Sequence, residues 1–190
     1  MKKEVREYTI DESGMLGVNA ISLVEFPAIE VDFIALSKKL QFKAYDEEKR
    51  IVYGAVIIPD QLIYREDADG TPYYGKFTTE TTEKISQEFF IRNAHHNHTI
   101  EHKFAVNGLV VVESWLKHSS MDKSVSLGFE DYPNGTWFIG SKVMNDEVWQ
   151  EVKKGTFKGF SLEGFFNEKV ALSKKEQEFY EELSSILMAG

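Results

Sequence analysis

The 190-residue chain contains no cysteine, which excludes disulfide frameworks, cysteine nucleophiles and thiolate metal sites. That absence suits a reducing compartment. Positive charge is scarce as well: 22 Lys and Arg stand against 31 Asp and Glu, for a formal net charge of −9. Nucleic-acid affinity rests on Lys and Arg neutralising phosphates, so no nucleic-acid partner is expected. Long apolar runs are missing too, and the longest (LVVV, AVII) fall far short of a bilayer span. The N-terminal MKKEVREYTIDESG is charged and has none of the apolar stretch of a secretory signal. These absences predict a soluble, cytoplasmic protein with no membrane partner. What is present, 42% hydrophobic and 13% aromatic residues, is enough for the core of one domain.

Patterning divides the chain into short elements. Residues 16–25 read as a strand ending before Phe26-Pro27, and 31–39 are ambiguous. Two strands, 41–45 and 50–58, are joined by the polar turn DEEK. Residues 60–76 carry the Asp-Gly and Pro signals of a loop or hairpin. A helix is predicted over 79–91, with Ile85 and Phe89 on one face. After a His-rich segment (93–103), Asn107-Gly108 turns into a strand over 109–116, and 119–134 read as loop. A strand over 135–143 leads into a short helix capped by Asn145 and ended by Lys153-Lys154-Gly155. Ser173 and Glu176 make a capping box for a C-terminal helix over 173–190. The expected class is α+β, a small, mainly antiparallel sheet or barrel surrounded by helices. It would form a single domain over 1–190 with its core at about 16–168.

The segment TFKGFSLEGFF (156–166) is the strongest candidate for chemistry. As a strand it points Phe160 and Leu162 one way and Gly159, Ser161 and Glu163 the other. That would leave Ser161 on an open face, with Gly159 leaving room beside it. By itself the pattern describes an ordinary strand as well as the seat of a nucleophile. A serine nucleophile needs a base, and imidazole is the usual one. Four of the five histidines fall within eight residues, at 95, 96, 98 and 102. His102, directly before a strand-turn-strand region, is the natural partner for Ser161. His95, His96 and His98 read as a solvated polar loop. A metal site is the rival reading, but the spacing lacks the HExxH arrangement. Glu113, inside the apolar run VVVESWL, could orient His102 or could pair with a lysine. Asp60, Glu101, Asp122 and Glu163 carry no stronger claim. REDADG at 65–70 resembles the start of a calcium loop, but Lys76 stands where that loop needs glutamate, so it reads as a turn.

Five segments in order carry a further signal: ISLVEFPAIEVDFIALS, IPDQLIYR, IEH followed by NGLVVVESW, GTWFIGSKVMNDEVW, and KGFSLEGFF. With these the chain resembles the XkdF-like group of tailed-phage prohead proteases over roughly 16–168. The resemblance implies a serine protease of herpesvirus-assemblin-like fold, with His102 and Ser161 at the motif positions, 59 residues apart. In related prohead proteases a motif like EVSLVTFPAN follows the serine strand, and its leading acid resembles the third catalytic residue. Here the matching NAISLVEFPAI lies at 19–29, ahead of the histidine, which looks like a circular permutation. The acid's position is Ala20, preceded by Asn19. The third member is therefore Glu113, or Asn19 through its amide, or the site is a dyad. The resemblance also implies an oxyanion site near the turn after Phe26-Pro27 and no cofactor. It implies capsid and scaffold precursors as substrates, cut inside the assembling procapsid in the bacterial host cytoplasm. Self-cleavage at the repeated ALSKK (35–39 and 171–175) and homo-oligomerisation remain open. The alternatives are a proteolytically inactive head or scaffold-associated protein, and a metal-dependent hydrolase using the His95–His102 cluster.

Overall fold

The structure, a computed structural model, describes residues 4–10, 16–25, 44–46 and 49–170. Among these, twelve strands form three four-stranded sheets. The first has the order β12 (Asn167–Val170), β1 (Glu4–Thr9), β6 (Pro72–Phe77), β5 (Ile63–Glu66). The second runs β3 (Ala44–Asp46), β4 (Ile51–Ile57), β10 (Trp137–Val143), β9 (Leu109–Leu116). The third runs β11 (Gly159–Phe165), β2 (Gly17–Val24), β7 (His98–Ile100), β8 (Phe104–Val106). Pairing is mainly antiparallel, with β1–β6 and β2–β7 parallel. The expected mixed class is observed.

Of the sheet or barrel expected, the described residues show sheets, and no closed barrel is identified among them. After Phe165 the chain changes sheets, and β12 pairs with β1.

The helix α1 (Thr79–Ile91) starts where Thr78 accepts a hydrogen bond from the Thr81 amide at 3.1 Å. It buries Ile85 and Phe89 against β2, β9 and β10. A short helix, α2 (Lys123–Ser126), interrupts the stretch expected as loop. In α3 (Asp146–Lys154), Asn145 caps the Val148 amide at 3.0 Å and Gly155 ends the helix in the left-handed region, as its sequence predicts. The main core gathers Trp137, Phe89, Phe160, Ile21 and Leu23, all essentially inaccessible. β1 has no counterpart among the predicted elements. The C-terminal helix, both ALSKK segments and the turn after Phe26-Pro27 lie outside the described residues. Among the described residues, no helix is long and apolar enough to cross a membrane.

Candidate active site

β11 pairs antiparallel with β2, placing Ser161 directly opposite Ser22 and Glu163 opposite Ala20. β2 in turn runs parallel to β7 with Ser22 beside Thr99. Registered neighbours share a sheet face. Ser161, Glu163, Ser22 and Thr99 therefore line one face, while Phe160, Leu162 and Ile21 serve the core behind it. The polar face holds hydroxyls and one carboxylate; the apolar face fixes the strand.

His102 reaches this face from the tight turn between β7 and β8. Glu101 and His102 both adopt left-handed backbone, with φ of 51° and 55°. Two successive non-glycine residues there need external support, since each costs about 1–2 kcal/mol. The support comes from β2 and its end. The Glu101 amide donates to the Leu23 carbonyl at 3.1 Å, and the Glu101 carboxylate accepts from the Glu25 amide at 2.6 Å. The His102 amide donates to the Ser22 hydroxyl at 3.0 Å. This clamp fixes the Cα of His102 over the strand beside Ser161.

The imidazole Nδ1 of His102 lies 3.1 Å from Oε1 of Glu163, and the Thr99 hydroxyl donates to the same carboxylate oxygen. The carboxylate thus binds the ring nitrogen that an orienting acid must hold, leaving Nε2 for a hydroxyl. Ser161 is two residues from Glu163 on the same strand face, about 6.6 Å along a strand. Among the described residues no hydrogen bond joins Ser161 to His102. Catalytic hydrogen bonds are often long before substrate binds. Ser161 is only 7% exposed, so it is buried rather than open as expected. The strand's backbone comes close to β2 at Gly164, where a Cβ would overlap the Gly17 carbonyl oxygen.

The other expected residues go elsewhere. Glu113 on β9 accepts from the Tyr53 hydroxyl at 2.7 Å and pairs with the Lys123 ammonium. It takes the lysine-paired form, and the carboxylate on His102 is that of Glu163. Asn19 offers its backbone carbonyl to the Asn97 amide group at 3.0 Å. His95 and His96 lie against each other, with ring centroids 4.2 Å apart, but the four histidines do not gather at one point. His95 stacks on Phe90, and His98 is not in a solvated loop but buried in β7, with Nε2 3.0 Å from the Ser141 hydroxyl. Burial pushes the His98 pKa down to about 4. Among the described residues no three His, Asp or Glu side chains gather to hold a metal. Sequence reasoning gave Glu163 no stronger claim than three other acids, and it missed Ser22 and Thr99. For Glu163 a signal existed: it shares the period-2 face of Ser161.

The family described as "Putative phage serine protease XkdF" matches residues 39–170. The phage-like element PBSX protein XkdF of Bacillus subtilis is 27% identical, over 77% of this chain and 52% of its own length. The uncharacterised protein YqbD of the same organism is 28% identical, over 62% of this chain and 32% of its own. The chain thus spans about half the first relative and a third of the second. No solved structure matches it significantly.

Proposed function

The chain belongs to the family described as "Putative phage serine protease XkdF", and from that premise we propose that it is a serine endopeptidase acting through Ser161, His102 and Glu163. The observation that carries the reading is the Glu163 carboxylate on Nδ1 of His102, with both groups on the strand face of Ser161. His102 Nε2 takes the Ser161 proton as Oγ bonds to the scissile carbonyl carbon. The tetrahedral oxyanion collapses, the C–N bond breaks, and His102 passes its proton to the leaving amine. Water, deprotonated by the same imidazole, then releases the acyl group. Glu163 keeps the ring in the right tautomer and stabilises the imidazolium; Thr99 holds the carboxylate in place. Ser22 and Glu101 position the histidine backbone.

Scaffold and capsid precursors in an assembling procapsid, within the host cytoplasm, are the proposed substrates. The phage-like element named in the Bacillus subtilis relative supports that setting, as does the acidic charge, which gives no pull toward packaged DNA. The test is co-expression with the neighbouring capsid and scaffold genes, followed by gel and mass analysis. Wild type shortens a precursor, whereas Ser161→Ala and His102→Ala leave it full length. Equal precursor sizes in all three would refute the proposal in favour of an inactive head protein.

A further inference from the structure

A cavity of about 320 Å³ opens where the chain leaves β11 for β12. One wall is the strand of the nucleophile, through Phe160, Ser161 and Leu162. The facing wall is the inner face of the first sheet, and strand register defines it. Ile63 pairs with Gly75 and Arg65 with Tyr73, so these side chains and Phe77 share one face. At its mouth Phe165 is 69% exposed, unusual for a phenylalanine. Ligand sites span roughly 300–1,000 Å³, so a cavity this size accepts one or two side chains rather than a folded element.

The charges in the cavity are unequally satisfied. Glu168 accepts from Arg6 at 3.0 Å, a guanidinium it shares with Asp67 and Glu4, and from the Tyr73 hydroxyl at 2.9 Å. The Arg65 guanidinium, among the described residues, donates to the carbonyl of its neighbour Tyr64 at 2.9 Å. A guanidinium has five donors in a fork matched to carboxylates. Resting on the reading of Ser161 as nucleophile, we infer that this cavity is a substrate subsite for an extended peptide with a large apolar side chain and a nearby acidic one. The apolar side chain enters between Leu162 and Ile63, and the acidic side chain meets Arg65. Leu162 and Ser161 lie on opposite faces of β11, so the cavity takes a side chain of the peptide flanking the scissile bond, not the bond itself.

Binding can be read without catalysis. Fluorescent peptides varied for apolar, acidic and basic residues are titrated against the full chain carrying Ser161→Ala. The same set is titrated with Arg65→Glu, Arg65→Gln or Ile63→Trp added. Peptides pairing Leu or Phe with Asp or Glu should bind best. Arg65→Glu should weaken them about tenfold and favour basic peptides, since charge-assisted contacts are of this size. Arg65→Gln should remove the acidic preference alone, and Ile63→Trp should remove the apolar one. No binding by any peptide, or a preference unchanged by all three substitutions, overturns the subsite. Cleavage of the same peptides by wild type separates the two ideas. Pocket-dependent binding without cleavage defeats the protease reading, and cleavage indifferent to Arg65 and Ile63 defeats the subsite.

Discussion

Glu163→Gln isolates the contribution of the carboxylate, because it keeps shape and hydrogen-bonding reach while removing charge. Two unit charges about 4 Å apart interact by ~1 kcal/mol in water and ~4 kcal/mol at the effective dielectric of a protein surface. The side chains of His102 and Glu163 are 38% and 30% exposed, so the site lies between those limits. A loss of about 2–3 kcal/mol in stabilising the imidazolium corresponds to a rate lowered about 30- to 150-fold. That is less than the ~10⁴ lost when the acid of a fully buried triad is neutralised. The rate at which a fluorophosphonate labels Ser161, followed by intact mass, reads this step without a natural substrate. Ser161→Ala should take no label, and Glu113→Gln should label like wild type. Because Ala20 faces Glu163 across the strand pair, Ala20→Glu added to Glu163→Gln should recover part of the rate. Wild-type labelling by Glu163→Gln, alongside a fall in His102→Ala, would refute the assignment. A fall confined to Glu113→Gln would transfer the role to that residue.

Two further outcomes concern stability. His98 is held neutral down to about pH 4 in the fold, whereas the unfolded chain protonates it near pH 6.5. Its contribution is therefore complete above pH 6.5 and is lost as pH falls toward 4, by at most about 3 kcal/mol. Urea midpoints between pH 7 and 4.5 should fall more steeply for wild type than for His98→Leu, and parallel slopes would contradict the burial argument. Gly164→Ala should lower Tm by more than about 5 °C, because the new Cβ meets the Gly17 backbone oxygen at 2.1 Å and neither strand can yield. An unchanged melting curve would place the two strands further apart.

The sequence was most legible where local chemistry decides structure. The caps at Asn145 and Gly155, the turn at 67–71 and the period-2 strand around Ser161 all appear where residue types require them. His98 was misread because its tract is polar in the sequence, while its strand is drawn into the core by pairing with Ile21. Glu113 looked like a carboxylate stranded in an apolar strand, but Tyr53 and Lys123, 60 and 10 residues away, satisfy it. Ala20, read along one strand, signified a missing acid. Across the strand pair it faces the carboxylate that holds His102.

Composition alone excluded cysteine chemistry from this chain and led to the expectation of no phosphate-binding surface. Local pattern determined that Ser161 sits on a strand with His102 as its candidate base. Which carboxylate serves the histidine, and which imidazole is buried, only the tertiary structure decided. The reason is register: a side chain's own strand sets the face it occupies, but its partner is set by neighbouring strands that can come from anywhere in the chain.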